Sequence, residues 1–470
     1  MSGPMPLEPG GAEQDTLTLR LAGPPRPRRT PRWARDEITM AIRLPRLGPD
    51  EEAVSALAAE LADRIGPAVH PWEVAALLEA EGMSASLIKE RYGHPNLFSL
   101  ASALYERVPR TFPEPPAPAD PWRPDTLRCL LRGVLFALPA LAYVLTAPLW
   151  RPDRYAPVLI VAGVVSWAWG QALGHRAYLR MVTGRREAAR TLLTGSLLGT
   201  ALSTALAAVP ARGGPVTAVA AAQALYLASA GVLLVLGRER LLLAALSPLI
   251  GGTVATLWWE PGVVVRAGLP LLALLATLAV TARVLWSGLR TPAATGGPHP
   301  PLRASVPYGL FGLAAALLVM LEGLRHPYAV IALTLSMGPA EWLLYRYRGW
   351  SVAALRVSAT PRGFLLRSTA VLGRCLSAYL LLLLPPALLT GSGPSVLVLA
   401  ATLWTALLLQ AFGSAWPPAV LCLPAAVAVG AVTWLHLPPG ALALPLACGV
   451  AATGLAACAL GVLGRPAQHA

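Results

Sequence analysis

The sequence predicts an all-α, polytopic membrane protein of about twelve transmembrane helices in two six-helix lobes, preceded by a small N-terminal helical bundle. Three observations predict it. Apolar runs of 18 or more residues recur between residues 128 and 464, and each is long enough to cross a hydrocarbon core of about 30 Å as a helix. Charged residues make up only 13% of the chain, against about 25% in soluble domains. The arginines that punctuate the runs gather on alternate loops, the pattern of a chain that keeps its cytoplasmic loops positive.

Residues 1–49 form a Pro/Arg-rich tail. GPPRPRRTPRWAR (Gly23 to Arg35) cannot bury a core and reads as disordered. Its arginines suit the anionic headgroups of an inner leaflet. Residues 50–110 read as a cytoplasmic bundle of four helices. DEEAVSALAAELADRI carries apolar residues at helical spacing behind an acidic first turn. PWEVAALLEAEG opens on proline and stops at glycine, SASLIKERYG is capped by serine, and FSLASALYERV follows. Nine acids against Arg64, Lys89 and Arg91 in residues 50–91 leave no phosphate attraction, so nucleic acid is excluded as a partner. A cytoplasmic protein partner fits this module better. A Pro-rich linker, 111–127, leads to the first span.

The twelve spans are expected at about 128–149, 157–175, 191–210, 215–236, 241–258, 265–287, 305–323, 327–345, 369–389, 395–414, 417–435 and 440–463. With both termini cytoplasmic, the inner loops and tail hold 16 arginines and the outer loops 5, and the loss of one span would invert every later loop. The outer loops are too short for a receptor or a catalytic domain. The largest inner loops, 175–190 and 346–367, follow the second and eighth spans. A connection at 288–304 falls between the sixth and seventh. These positions divide the membrane part into 128–287 and 305–464, with a short tail at 465–470. The Arg- and Ala-rich composition points to a bacterial plasma membrane.

Enzyme classes fare poorly. No serine and histidine or paired aspartates are placed within spans for proteolysis, and no acid-bearing outer loop suits a glycosyltransferase. The seven histidines show no metal-ligand spacing, and GxxxxGK[ST] is absent. No cofactor is called for. The five cysteines, all in apolar runs without CxxC spacing, read as small buried side chains.

An ionisable or amide side chain within a bilayer is a functional candidate by default, because burying it is costly. Six residues qualify as cavity-lining or gating candidates: Gln171, His175, Arg176, Glu322, Glu341 and Arg374. Glu341 lies about one turn from the cytoplasmic end of the eighth span. Arg374 enters the ninth at a comparable depth, so a Glu341–Arg374 pair is expected. Glu322 lies at the outer end of the seventh span beside Arg325. Gln223 and Gln410 are further polar positions within spans.

With twelve spans, two halves and basic loops after spans two and eight, the layout of residues 128–464 resembles polysaccharide flippases, a branch of the multidrug/oligosaccharidyl-lipid/polysaccharide exporter superfamily. The resemblance implies two lobes around a central cavity, lined largely by spans one, two, seven and eight. In this sequence those spans hold Arg132, Gln171, His175, Arg176, Glu322 and Glu341. It further implies movement of an amphiphilic substrate, such as a lipid-linked saccharide, by alternating access. Family members that handle anionic substrates carry basic residues deep in the cavity, whereas here the arginines lie near span ends. The competing expectation is a non-transporting scaffold whose N-terminal bundle recruits a cytoplasmic partner to the bilayer.

Overall fold

Long apolar stretches, prolines in the first turn and glycines at the ends leave this chain little choice but helix. The computed structural model describes residues 49–111, 122–211, 214–293, 300–358 and 360–465, which hold helices and no strand. The expectations for the 1–48 tail, most of the 111–127 linker, the middle of the 288–304 connection and residues 466–470 lie outside the described residues. The chain divides into two compact units, with the boundary near residue 120.

The first unit holds α1 (Pro49–Glu60), α2 (Ala62–Ile65), α3 (Pro71–Ala80), α4 (Ala85–Tyr92) and α5 (Leu97–Arg107). These follow the four helices read from sequence, except that the first is broken at Leu61. Caps fix their starts: the Ser84 hydroxyl accepts from the Leu87 amide, and Asn96 Oδ1 accepts from the Ser99 amide at 2.8 Å. Gly93 ends α4 in the left-handed region at φ 70°, where a side chain would also run into Asp50. Val54, Leu78, Ile88, Leu100 and Leu104 close a core of their own, so this bundle buries apolar surface independently of the membrane part.

The second unit begins with α6 (Thr126–Ala137) and α7 (Ala140–Thr146). They form one segment interrupted at Pro139, whose ring removes a ladder hydrogen bond. The Asp125 side chain caps α6 by accepting from the Arg128 amide at 3.1 Å. There follow α8 (Pro152–Met181), α9 (Arg185–Ala211), α10 (Pro215–Val235), α11 (Glu239–Ala255) and α12 (Val263–Leu289). Then come α13 (Val306–Gly323), α14 (Pro327–Val357), α15 (Pro361–Leu389), α16 (Gly393–Ala411), α17 (Trp416–Leu435) and α18 (Ala443–Leu463). With α6 and α7 counted as one segment, these are the twelve expected spans.

Ten of the segments are long and apolar enough to cross a membrane by length and composition alone. The two that fall short are α11, with 17 residues, and α14, whose apolar stretch is interrupted by Glu341. Large apolar side chains stand exposed around the unit, including Val264 at 85% and Leu389 at 87%. A belt of that kind requires lipid to cover it. The chain is a multi-pass membrane protein.

Packing follows a repeated plan. α8 lies on α9 and α10, as α14 lies on α15 and α16. α11 pairs with α12, as α17 pairs with α18, and α10 meets α12 as α16 meets α18. Each partnership in the first six segments thus recurs six segments later. Two contacts join the sets, α6 with α14 and α8 with α13, and these too exchange under the same shift.

Both joining contacts are built on small residues, which let helix backbones approach closely in lipid. At the α6–α14 crossing a Cβ on Gly133 would lie 2.7 Å from the Leu335 carbonyl oxygen, and one on Gly338 would lie 2.6 Å from that of Cys129. At the α8–α13 crossing a Cβ on Gly309 would lie 3.2 Å from Ala172 Cβ, and one on Gly312 would lie 2.7 Å from Gln171 Cγ. At α6–α14 backbone meets backbone, so neither side can yield by a rotamer change. Gly338→Ala therefore lowers thermal stability in detergent, by about 1–3 kcal/mol for an overpacked contact. Gly430→Ala, at a helical site in α17 with nothing within 4 Å of the new methyl, is neutral or slightly stabilising. Equal midpoints for the two variants would refute the close crossing.

Candidate functional site

The glycine crossing of α6 and α14 fixes what lies beside it. Arg132 immediately precedes Gly133, and Glu341 follows Gly338 by one helical turn. The approach of the two backbones therefore sets these charges against each other, and Arg132 Nη1 bonds Glu341 Oε1 directly. The same guanidinium reaches Glu239, the first residue of α11, with Nε at 2.9 Å and Nη2 at 2.7 Å from Oε1. Arg128, one turn before Arg132 on the same face of α6, adds a bond to Glu239 at 2.9 Å. Glu239 also sits where the α11 amides favour negative charge. The result is a four-residue network of two arginines and two carboxylates, spanning α6, α11 and α14. Nearby, Trp342 Nε1 donates to Thr126 Oγ1 at 3.1 Å across the same pair of helices.

The second crossing is tied at the same face of the unit. His175 stacks on Tyr308 with ring centroids 3.8 Å apart and planes at 14°. Its Nδ1 lies 3.1 Å from Ser305 Oγ, and Arg176 Nη1 donates to the Pro300 carbonyl at 3.4 Å. This face carries the start of α6 and the arginine-rich loops.

Between the two crossings lies a cavity of about 750 Å³, within the range of small-molecule sites. It is walled by residues of α6 to α11 on one side and of α13 to α16 on the other. Its lining reaches the opposite ends of the helices, at Trp150, Ala156, Leu324 and Val330. Toward the arginine-rich face its lining includes Gly174, Phe311, Leu135, Val235, Leu242 and Leu344, beside the ionic network and the His175 stack.

Of the sequence candidates, Gln171 and Glu341 line the cavity. His175 and Arg176 belong to the closure beneath it. Glu322 is a correction. It is 1% exposed and turned away from the cavity, accepting from Ser395 Oγ at 2.6 Å and lying 3.1 Å from His326 Nδ1. There it ties α13 to α16. Arg325 does not pair with it but donates to the carbonyls of Ala441 and Gly440 at 2.8 and 3.2 Å.

The Glu341–Arg374 pair is a second correction. Glu341 is bound by Arg132, and Arg374 lies 5.9 Å from the centre of the Trp350 ring. Depth along the helices placed the two residues alike, but the glycine crossing turns Glu341 toward α6. Gln410 is 1% exposed and lies outside the cavity, whereas Gln223 is part of its lining and donates from Nε2 to the Leu159 carbonyl at 3.2 Å. Sequence reasoning missed Arg128 and Glu239 as site residues. The signal available was the i, i+4 arginine pair opening the first span, which calls for carboxylates from other helices. Among the described residues no group of three or more histidine, cysteine or acidic side chains could hold a metal ion.

No family model matches the chain, and no curated protein matches it. A solved structure described as the outward-facing conformation of a multidrug resistance MATE family transporter of the MOP superfamily is similar over 72% of this chain and 95% of its own, at 14% identity and a TM-score of 0.40.

The network makes a direct prediction. Arg132→Leu leaves two buried carboxylates short of their shared cation, a loss of about 3–5 kcal/mol. Arg374→Leu removes a cation–ring contact of about 1 kcal/mol. Thermal unfolding in detergent should rank the first well below the second, and the reverse order would show that Arg132 is not the shared partner.

Proposed function

We propose that this protein is a membrane transporter that moves a largely apolar substrate by alternating access of two six-helix lobes, 128–287 and 305–464. One observation carries the reading: a cavity of about 750 Å³ lies between the halves, and two small-residue crossings and an ionic network join the halves beside it at the arginine-rich face. A structural bundle has no need of such a cavity, and charges within spans are costly unless they act. The recurrence of helix partnerships six segments later supports two lobes able to rock about a central site, the architecture of many secondary transporters.

In this reading the arginine-rich face is cytoplasmic, and the conformation described is open to the outside. Arg132 is the latch of the inner gate. It belongs to the first lobe, shares that lobe's Glu239, and holds Glu341 of the second. Inward opening requires Arg132 to release Glu341 while keeping Glu239, so its charge is never left unpaired. His175 and Tyr308 form the matching contact at the other crossing. A lipid-linked saccharide with a phosphate headgroup finds no cation among the described residues of the cavity lining, so that substrate is not part of the proposal.

The N-terminal bundle suggests an accessory role. Trp72, Val69 and Phe98 are 72%, 64% and 59% exposed on it, more apolar surface than a solvated module needs. We assign it to recruitment of a cytoplasmic protein partner, with transport residing in the membrane unit.

Cysteine accessibility tests the gate. In a background lacking the five native cysteines, Leu324→Cys at the outer rim reacts with a membrane-impermeant maleimide from outside, and Met337→Cys, in the cavity lining beyond the latch, does not react from the inside. Adding Arg132→Leu should raise inside labelling of position 337 several-fold and lower labelling of position 324. Labelling unchanged at both positions would sink the latch, and with it the alternating-access reading.

A further inference from the structure

The cavity surface says what kind of molecule it accepts. Among the described lining residues Glu341 is the only one with a formal charge at neutral pH, and its carboxylate is held by Arg132. Two arginines and two carboxylates make up the network at the closed end, so the network has no net charge to offer a ligand. A charged ligand would leave water without gaining a counter-charge, at a heavy desolvation cost.

Several of the polar tips that border the cavity are also spent or covered. Trp169 Nε1 donates to the Gly195 carbonyl at 2.7 Å, and Trp404 Nε1 to that of Ala340 at 3.2 Å. Tyr379 OH lies 3.0 Å from Ser336 Oγ. The Ser166 and Ser196 hydroxyls and Gln223 Oε1 have no protein partner, yet they lie covered beneath the wall instead of on its surface. What remains is mainly carbon, and both halves supply rings to it. Phe136, Tyr143, Trp167 and Tyr226 come from the first half, with Phe136 edge-on to Trp167 at a centroid distance of 6.2 Å, and Phe311, Tyr379 and Trp404 come from the second, among aliphatic neighbours such as Val319 and Leu333.

We infer that the cavity takes an uncharged, hydrophobic, ring-bearing ligand, seated among the aromatic side chains that both halves supply. This names the substrate class of the proposed transporter and rests on that reading for its role, though binding is measurable without transport. An uncharged ligand does not compete with Arg132 for Glu341. Release of Glu341 is then driven by closure of the apolar walls around the ligand and not by a ligand charge displacing Arg132.

Three probes with one hydrophobic body separate the alternatives: 1-pyrenebutanol, 1-pyrenebutyrate and 1-pyrenebutyl-trimethylammonium. Energy transfer from tryptophan to pyrene is read on the full chain in zwitterionic nanodiscs. The Ala316→Phe/Val319→Phe variant, in which the cavity is filled, supplies the background for partition into lipid. The alcohol should bind saturably and at least about tenfold tighter than either charged analogue, a difference of about 1.4 kcal/mol, and the filled variant should lose that binding. Tighter binding of the carboxylate or the ammonium probe would overturn the inference while leaving a transporter of charged substrates standing. Saturable binding of the alcohol with no movement of it in proteoliposomes would keep the ligand class and count against the transport reading. Equal signals from the wild type and the filled variant would overturn the inference outright, since no probe would then be in the cavity.

Discussion

A guanidinium buried in a bilayer must find carboxylates, and Arg132 finds two on different helices. Most of what is distinctive in the membrane unit follows from meeting that demand. α6 and α14 must cross closely enough for Arg132 to reach Glu341, which requires Gly133 and Gly338 at the contact. α11 must begin beside α6 so that Glu239 can share the same cation. Because the network draws its members from both halves, it is stable only when the halves meet at that face. The structure thus has a closed end defined by charge and a remainder defined by shape.

The two crossings solve one packing problem with different chemistry. At α6–α14 the backbones touch and charges hold them. At α8–α13 glycines meet alanines and Gln171, and a stacked histidine and tyrosine do the holding. The ionic contact depends on a cation remaining paired; the stacked one depends chiefly on ring surface. The two ties are thus unequal in kind.

Most of the fold was legible in the sequence, because membrane helices announce themselves by length and apolarity. The twelve segments fall where the apolar runs lie, and α1 to α5 follow their caps and periodicity. What sequence could not supply was azimuth, the direction a side chain faces around its helix. Glu341 and Arg374 have the right depth to pair, yet neighbouring helices turn them apart. Glu322 looked like a cavity residue because it is an acid in the seventh span, but it turns toward α16 and Ser395. Glu239 was read as a loop residue, since it stands at a span's end. Only the tertiary approach of α6 reveals it as the shared partner of Arg128 and Arg132. Gln171 stands in the cavity lining, and the second span has few other polar groups to choose from.

One dimension of α11 reaches beyond the protein. Its 17 residues extend about 25 Å at 1.5 Å per residue, a few ångströms less than a typical hydrocarbon core. Lipid beside a short helix must thin, or the helix ends must be drawn inward. The end in question is Glu239, anchored to Arg128 and Arg132. A thicker bilayer therefore strains that anchor and a thinner one relaxes it, so acyl-chain length becomes a mechanical load on the junction between the two halves.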